Sequence, residues 1–383
     1  MESFDVIVAG LGGMGSAALM HLADRGRRVL GLEQHSVPNT FGSSHGETRI
    51  IRLAYYEHSN YVPLLRRAFE LWRELEARSG QDLLRVTGGL DAGAQHSRVF
   101  AGSLRSCLDH GLPHEVLTGT EVNRRFPAYR LPESHRAVLQ PDAGYLVPEA
   151  CVDAHARLAV AGGARLQSGE RVAGWEAGGA GLIIHTDRGE YSAERLVLCA
   201  GPWTGSLEPA LADLTIPERQ VVAWFRPWHP ELFAPGVFPI VVNEVPEGTF
   251  YGFPIHSIPG FKLGRFHHLG ERADPDAVDR RIHPADERVL REHVRSHFPD
   301  ADGEIVEATT CMFTNTPDEH FIIDHHPYTK GVVIAAGFSG HGFKFCSVVG
   351  EILADLATEG STRHDTGLFK IDRFHLTTAG AES

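Results

Sequence analysis

Residues 4–33 read FDVIVAGLGGMGSAALMHLADRGRRVLGLE, and their pattern predicts a strand, a glycine-rich turn, a helix and a second strand that ends in an acid. Phe4 to Ala9 is an apolar, β-branched run, Ser16 to Asp24 has helical composition, and Arg28 to Leu32 is again strand-like. This order, completed within about 30 residues, is that of a dinucleotide-binding βαβ unit. The motif predicts a bound dinucleotide but does not distinguish FAD from NAD.

The glycines of this turn have separate physical roles. Gly10 permits the tight turn, Gly12 lets the backbone approach a pyrophosphate, and Gly15 allows the helix to lie close to the strand. The start of the helix offers free N–H groups and the positive end of the helix dipole to the phosphate. Glu33 is expected to accept a hydrogen bond from a ribose hydroxyl.

The overall composition is acidic and globular. The chain has 383 residues, 42% of them hydrophobic, and a formal net charge of −13. This length predicts two or three domains, and the acid excess argues against nucleic-acid and anionic-membrane partners. No apolar run approaches the roughly 20 residues of a membrane helix, and the N-terminus does not resemble a signal peptide. The five cysteines have neither a paired nor a zinc-binding spacing. We therefore expect a cytoplasmic protein without a metal ion.

Hydrophobic periodicity predicts further elements along the chain. Residues 80–145 have an irregular pattern and are expected to be an insertion into the first domain. Helices are predicted over 62–76, 149–161, 285–296 and 343–356, and strands over 171–175, 181–186, 195–200, 221–225, 249–253 and 331–336.

Several basic residues occupy positions at which they could either be solvated on the surface or bind an anion. Arg49 and Arg52 are three residues apart and would share a face on a helical turn. Lys262 would point inward on a strand, and Lys344 would lie in the first turn of the last helix, beside its positive dipole end. Each alone is expected to be a solvated surface cation. Together they indicate a nearby anion.

Six segments together resemble the monomeric sarcosine oxidase and N-methyltryptophan oxidase family, flavoenzymes that oxidise secondary amino acids. The resemblance covers nearly the whole chain and implies the fold class α/β plus α+β, with a Rossmann-type FAD-binding domain and a mixed-sheet substrate domain. The segments are GLGGMGSAA (10–18), GSSHGETRIIR (42–52), FYGFP (250–254), KLG (262–264), CMFTNTPDEHFIID (311–324) and AAGFSGHGFKF (335–345). The domains then comprise residues 1–80, 145–215 and 305–383 for FAD, and 81–144 and 216–304 for the substrate.

The resemblance also implies that FAD is attached covalently, through the sulfur of Cys311 to the 8α-methyl group of the flavin ring. On composition alone, Cys311 would be expected to be a small buried hydrophobe. Gly340 to Lys344 would direct a helix N-terminus and a cation at the flavin edge that becomes negative on reduction. The residues implied to bind the cofactor are Gly10, Gly12, Gly13, Met14, Gly15, Glu33, Gln34, Ser44, His45, Arg49, Val172, Ala200, Gly201, Trp203, Cys311, Met312, Gly340, Gly342, Phe343 and Lys344.

The substrate side is implied in the same way. Arg52 and Lys344 would hold the substrate carboxylate, and the carbonyls of Gly340 and His341 would accept from its amine. Lys262 would favour electron transfer to oxygen. Tyr55 and Phe313 would complete a small aromatic pocket, with Phe313 where a tyrosine is common. The implied catalytic residues are Lys262, His45, Arg49, Thr48, His267 and Tyr251. One extra residue follows Lys262, so that His267 or His268 is the substrate-side histidine.

The implied reaction is the oxidative demethylation of sarcosine or a similar N-methyl amino acid by a monomer, with O2 as acceptor. The products are formaldehyde, glycine or another primary amino acid, and hydrogen peroxide. Three alternatives stay open: an oxidase of N-methyltryptophan or of a cyclic imino acid such as pipecolate or proline, a dehydrogenase that uses another electron carrier, and a non-catalytic dinucleotide-binding module.

Overall fold

The computed structural model describes residues 1–179 and 181–374, whose strands form three sheets flanked by helices. The strands are β1 (Glu2–Ala9), β2 (Val29–Glu33), β3 (Arg49–Ile51), β4 (Leu84–Val86), β5 (Gly89–Ala94), β6 (Glu115–Thr118), β7 (His135–Gln140), β8 (Gly144–Leu146), β9 (Arg165–Ser168), β10 (Val172–Gly178), β11 (Gly181–Thr186), β12 (Glu190–Leu198), β13 (Ile216–Phe225), β14 (Ile240–Val245), β15 (Gly248–Phe253), β16 (Phe261–Arg265), β17 (Ile305–Asn315), β18 (Ile322–His325) and β19 (Val332–Ala336). The helices are α1 (Gly13–Asp24), α2 (Val62–Ser79), α3 (Arg98–His110), α4 (Gly119–Arg125), α5 (Pro148–Ala161), α6 (Thr204–Leu207), α7 (Pro284–His297) and α8 (Cys346–Glu359).

The first sheet has a parallel centre. Its order is β10-β11-β12-β1-β2-β9, with β19 beside the second half of β12 and β18 beside β19. Val6 and Val8 of β1 are buried in the core that includes α1, while Ile7 and Ala9 are buried in the core on the other face. A strand covered on both faces requires an uninterrupted apolar run, as the sequence has here. The predicted Rossmann-type α/β arrangement is confirmed.

Helix α1 is buried on nearly all sides, because α5 and α8 both contact it. The crossing with α8 is close. A Cβ atom at Gly350 would lie 2.6 Å from the carbonyl carbon of Ala17, so that only glycine allows this approach. The small residues of α1 therefore serve helix packing and leave the glycine turn before it free to face a ligand.

The second sheet is mixed and has the order β17-β13-β16-β15-β14-β5-β7-β6. Of its neighbouring pairs, β14 and β5 are parallel, and the others are antiparallel. Leu290 and Val294 of α7 belong to the core that covers one face of the sheet. Strand β17 differs from the prediction: it was assigned to the FAD-binding domain, but it pairs with β13 along its whole length.

Other parts of the sequence also differ from expectation. The region predicted as irregular contains five short strands and two helices, among them α3, which begins after the N-cap Ser97 and ends at left-handed Gly111. Arg49 begins strand β3, which pairs with β8, so Arg49 and Arg52 do not share a helical turn. The last helix begins at Cys346, after a 3₁₀ turn at Phe343–Phe345.

The carboxyl ends of β1, β2, β12 and β19 meet at one edge of the first sheet. In open α/β sheets this edge is where ligands bind. Within the described residues, no helix has the length and apolar character needed to cross a membrane.

Candidate active site

A cavity, which we call the first cavity, opens at this edge of the first sheet. Leu32, Cys199 and Gly337, at the ends of three of those strands, contribute to its wall. The predicted cofactor residues that line it are Gly10, Gly12, Gly13, Met14, Glu33, Gln34, Ser44, Arg49, Val172, Ala200, Gly201, Trp203, Met312, Gly340, Gly342 and Phe343. Four others, namely Gly15, His45, Cys311 and Lys344, are buried behind this lining.

The glycine turn has the geometry that the motif predicts. Gly10 has φ 90°, and a Cβ atom there would collide with the carbonyl oxygen of Cys199. A Cβ atom at Gly15 would overlap the carbonyl oxygen of Gly10, whereas the nearest atom to one at Gly12 is Ser44 Oγ, at 3.5 Å. The backbone at Gly12 is therefore open to a ligand in the first cavity.

Glu33 fixes the start of this turn. Its Oε2 accepts a hydrogen bond from the Leu11 N–H at 2.9 Å, and its Oε1 accepts from the His35 N–H at 3.0 Å. Each carboxylate oxygen has a second lone pair, and Glu33 lines the first cavity. It can therefore accept a ribose hydroxyl without losing its structural bonds.

His45 provides an independent test of whether a dinucleotide fits. The ring is buried, and its Nε2 has no hydrogen-bond partner among the described residues. Burial, with Arg49, Arg280 and Lys262 adding to it, lowers the pKa of His45 to about 3, so the ring is neutral. A buried nitrogen without a partner is costly. This nitrogen and the open backbone at Gly12 fit FAD as the ligand of the first cavity.

Cys311 lies on β17, opposite Gln220. Because side chains alternate along a strand, Cys311 shares a face with Phe313, which lines the first cavity. Burial raises the pKa of the Cys311 thiol, while the neighbouring charges of Arg49, Lys262 and Arg280 oppose this rise. Cys311 is thus a buried thiol within a cluster of three cations.

Lys262 is fully enclosed by backbone and aromatic groups. Its Nζ donates to the carbonyl oxygen of Gly46 at 2.6 Å and to the carbonyl and hydroxyl oxygens of Thr48, both at 2.9 Å. The Nζ also lies 4.5 Å from the centre of the Phe253 ring. Burial, reinforced by Arg49, lowers the pKa of Lys262 well below its usual value. The inward orientation expected from sequence is what the structure has.

A second, smaller cavity lies beside the first. Most of its lining residues are charged or aromatic. The lining consists of Tyr56, Glu57, Arg98, Val99, Glu244, Thr249, Phe266, His267, Glu319, Ser339 and His341. His267 contacts Glu218 through Nδ1 at 3.2 Å and Glu319 through Nε2 at 3.1 Å, and these hydrogen bonds raise its pKa to about 9. His268 instead is buried against Asp286, 2.8 Å away. The structure therefore places His267, and not His268, at the cavity.

Arg52 is close to this cavity but does not line it. Its Nη2 contacts both carboxylate oxygens of Glu57, at 3.1 and 3.0 Å, its Nη1 donates to the Ala54 carbonyl, and its Nε is 3.5 Å from Asp91. Burial alone would lower the pKa of Arg52, but Asp91 and Glu57 outweigh it and raise the pKa above its usual value. Burial raises the pKa of Asp91 to about 6 despite Arg52. The carboxylate of Glu57 thus binds the guanidinium group of Arg52, which was expected to bind the carboxylate of the substrate.

Lys344 and Tyr55 lie behind His341. The Nζ of Lys344 donates to the His341 carbonyl at 2.6 Å, and the Tyr55 hydroxyl is 2.6 Å from Nδ1 of the same histidine. Burial, with Arg52 adding to it, lowers the pKa of Lys344 to about 7. Burial also lowers the pKa of His341 to about 4. Lys344 therefore changes its charge near neutral pH.

Aromatic rings connect the two cavities. Phe266, which lines the second cavity, has its ring centre 5.3 Å from that of Tyr251 and 5.7 Å from that of Phe313, which lines the first. Burial raises the pKa of Tyr251. Gly340 has φ 75°, and a Cβ atom there would collide with the Phe313 ring. Only glycine therefore fits opposite Phe313.

Sequence reasoning missed several residues at these cavities. Glu57 and Glu319 carry the carboxylates nearest to Arg52 and His267, and Phe266 takes a place beside Tyr251. In the turn after β16, Phe266 directly precedes His267. Nothing in the spacing indicated Glu57 or Glu319.

Relatives of the chain match it along almost its whole length. A family model described as FAD dependent oxidoreductase matches residues 5–356. A monomeric sarcosine oxidase from Streptomyces avermitilis is 45% identical over 376 residues, which are 96% of this chain and 97% of the relative. An N-methyl-L-tryptophan oxidase from Yersinia pestis is 33% identical, with 97% and 99% covered. The solved structure of NikD, an unusual amino acid oxidase essential for nikkomycin biosynthesis, is similar with a TM-score of 0.84 and 30% identity, covering 97% of this chain and 98% of that one.

Proposed function

Because the chain belongs to the FAD dependent oxidoreductase family, we propose that it demethylates sarcosine or a similar N-methyl amino acid, with O2 as electron acceptor. One N-methyl amino acid, one O2 and one water give the primary amino acid, formaldehyde and hydrogen peroxide. The observation that carries the proposal is the position of the buried cations Arg52 and Lys344. Both lie against the ring of Tyr55, behind His341, which lines the second cavity. Such cations suit a small carboxylate substrate.

FAD, when bound, supplies the redox chemistry, in which two electrons pass from the CH–NH group of the substrate to O2. The residues of the chain bind and orient. Lys344, with a pKa of about 7, offers a positive charge to the substrate carboxylate at neutral and lower pH. Arg52 offers its guanidinium to the same carboxylate once Glu57 has moved away from it. Lys262 serves the oxygen step, because its buried ammonium form stabilises the negative charge that O2 acquires on reduction.

We also propose that FAD is joined to Cys311. Support comes from the strand face that Cys311 shares with Phe313 and from the three cations near the thiol, which oppose the rise in its pKa that burial causes. After acid precipitation, we expect flavin absorbance to stay with the parent protein and to be lost from Cys311→Ser. Cys199→Ser is the control, because Cys199 is buried like Cys311 and lines the first cavity. Equal flavin retention in Cys311→Ser and the parent would overturn the attachment.

The preferred substrate is proposed to be sarcosine, because the ring of Phe266 lies close to those of Tyr251 and Phe313, and a small substrate suits such a cluster of aromatic rings. The 33% identical N-methyl-L-tryptophan oxidase supports a bulkier N-methyl amino acid as the second candidate. Initial rates of O2 consumption with sarcosine, N-methyl-L-tryptophan and pipecolate decide between them. We expect the highest kcat/KM with sarcosine. A higher kcat/KM with N-methyl-L-tryptophan would support the second candidate.

Two further points belong to the proposal. The chain is proposed to act as a monomer, in line with the 45% identical monomeric sarcosine oxidase, and light scattering of the purified protein tests this. It is proposed to act in the cytoplasm, because its five cysteines are all free and buried, as expected in a reducing compartment.

A further inference from the structure

Glu149 holds the loop that precedes Arg49. Its Oε1 accepts hydrogen bonds from the backbone N–H groups of Gly46 and Glu47, at 2.5 and 3.2 Å. Glu149 lies in the first turn of α5, and Gly46 and Glu47 have φ values of 101° and 70°, in the left-handed region. Successive N–H groups that point to one side in this way form a concave site for an anion. The carboxylate of Glu149 fills that site.

The same loop holds Lys262 from its other side. The carbonyls of Gly46 and Thr48 and the Thr48 hydroxyl accept the hydrogen bonds of Lys262 Nζ. An ammonium group has three N–H donors, so that the loop supplies an acceptor for each of them. Lys262 is therefore positioned by the conformation of this loop.

One peptide group links Glu149 to Lys262. In the peptide that joins Gly46 to Glu47, the N–H donates to the Glu149 carboxylate and the C=O accepts from the Lys262 ammonium. The negative charge at one end of this dipole and the positive charge at the other strengthen both hydrogen bonds. The carboxylate of Glu149 thus compensates the positive charge of the buried Lys262 ammonium through this peptide group, without touching the ammonium directly.

The other charged and titratable groups near Lys262 do not repeat this arrangement. Glu47 bonds to the Ser257 hydroxyl, and Arg49 donates to the carbonyls of Thr48 and Ser43. The groups that interact with Lys262 electrostatically are Arg49, Glu149, Cys311, Glu47, His45 and His256. Of these, Glu149 is the carboxylate bonded to the backbone that holds Lys262.

We propose that Glu149 is a positioning residue for Lys262, acting through the peptide group between Gly46 and Glu47, and that it thereby controls how fast the reduced flavin reacts with O2. This inference rests on the proposed function, in which Lys262 serves the oxygen step. In that step, two electrons and two protons pass from the reduced flavin and solvent to O2, which yields hydrogen peroxide.

The test uses holoenzyme reduced with dithionite, so that no amine substrate is needed. Reduced enzyme is mixed with O2, and the return of flavin absorbance is followed at several pH values. Glu149→Ala removes the acceptor, Glu149→Gln keeps one oxygen without the charge, and Glu47→Gln is the matched control for a lost charge on the loop. We expect reoxidation to be about fivefold slower in Glu149→Ala, intermediate in Glu149→Gln, and within about twofold of the parent in Glu47→Gln.

The pH dependence and the backbone give independent readouts. Because Glu149 opposes the lowering of the Lys262 pKa, its loss should move the alkaline decline of the reoxidation rate to lower pH. Amide hydrogen exchange should be faster in the 46–48 segment of Glu149→Ala than in the parent, whatever substrate the enzyme uses.

Three results would overturn the proposal: parent-like reoxidation in Glu149→Ala, parent-like exchange of the 46–48 amides in that variant, or a slowing in Glu47→Gln as large as in Glu149→Ala. If Glu149→Ala does not fold, Glu149→Gln decides. A slowing of about twofold or more supports the proposal, and a smaller change refutes it. A parent that fails to oxidise sarcosine would refute the proposed function, but this test would still be valid because dithionite reduces the flavin.

Discussion

Removing the Glu57 carboxylate should tighten the binding of simple carboxylates to the holoenzyme. Glu57 contacts Arg52 Nη2 through both of its oxygens, and the side chains of both residues are 4% exposed. A substrate carboxylate that binds Arg52 must displace this contact. Glu57→Ala removes the competitor, while Asp91 remains 3.5 Å from Arg52 Nε and compensates part of its charge.

The magnitude follows from the contact that is lost. A hydrogen bond between charged groups contributes about 1.5–3 kcal/mol net. Its lower limit corresponds to a dissociation constant about tenfold smaller. We therefore expect acetate to bind Glu57→Ala about tenfold more tightly than it binds the parent. The titration is followed by the change in flavin absorbance at pH 6, where Lys344, with its pKa of about 7, is mostly protonated.

The matched control is Glu244→Ala. Glu244 lines the same second cavity and accepts from the Val99 N–H at 2.7 Å, but it does not contact Arg52. Its removal should change acetate binding by less than about twofold. The reasoning fails if acetate binds Glu57→Ala no more tightly than the parent, or if Glu244→Ala tightens binding to the same extent.

Three further predictions follow from buried groups. Lys262→Met should leave anaerobic flavin reduction by sarcosine nearly unchanged and slow reoxidation in stopped-flow absorbance; the reverse pattern would contradict the oxygen role. Acetate binding should weaken above pH 7, by up to about tenfold per unit, because Lys344 with its pKa of about 7 loses its charge there, and Lys344→Met should bind weakly without this dependence. Neither ring nitrogen of buried His155 has a hydrogen-bond partner among the described residues, and burial lowers its pKa to about 3. The unfolded chain therefore binds a proton below about pH 6.5 that the folded chain does not. Stability is lost as pH falls, so His155→Leu should gain about 2 kcal/mol over the parent between pH 7.5 and pH 5 in urea unfolding; a constant difference would contradict this.

The first βαβ unit was predictable because its signals are local. Buried strands, a glycine turn and an alanine-rich helix each leave a pattern within a few residues. Helix α3 was not predicted, and its buried face mixes apolar residues with the polar Ser103 and Ser106. These side chains donate to Asp91 and to the Tyr55 carbonyl, so the helix buries polar residues where periodicity expects apolar ones.

The parts that were missed depend on contacts between distant residues. Strand β17 pairs with β13, about 90 residues earlier, and no local pattern specifies which sheet a strand joins. The Arg52–Glu57 contact depends on how the loop after β3 folds back, and Phe266 contacts Tyr251 and Phe313, which lie on two other strands. The motifs therefore indicated an FAD-dependent oxidoreductase, in agreement with the matching family model, while the geometry of the second cavity required the folded chain.

The most direct test is to mix purified holoenzyme with sarcosine in air and to measure formaldehyde and hydrogen peroxide together. The proposed function predicts that both products accumulate in equal amounts, with one O2 consumed for each. Formaldehyde without peroxide, released only when an artificial electron acceptor is added, would contradict it, and so would the absence of formaldehyde.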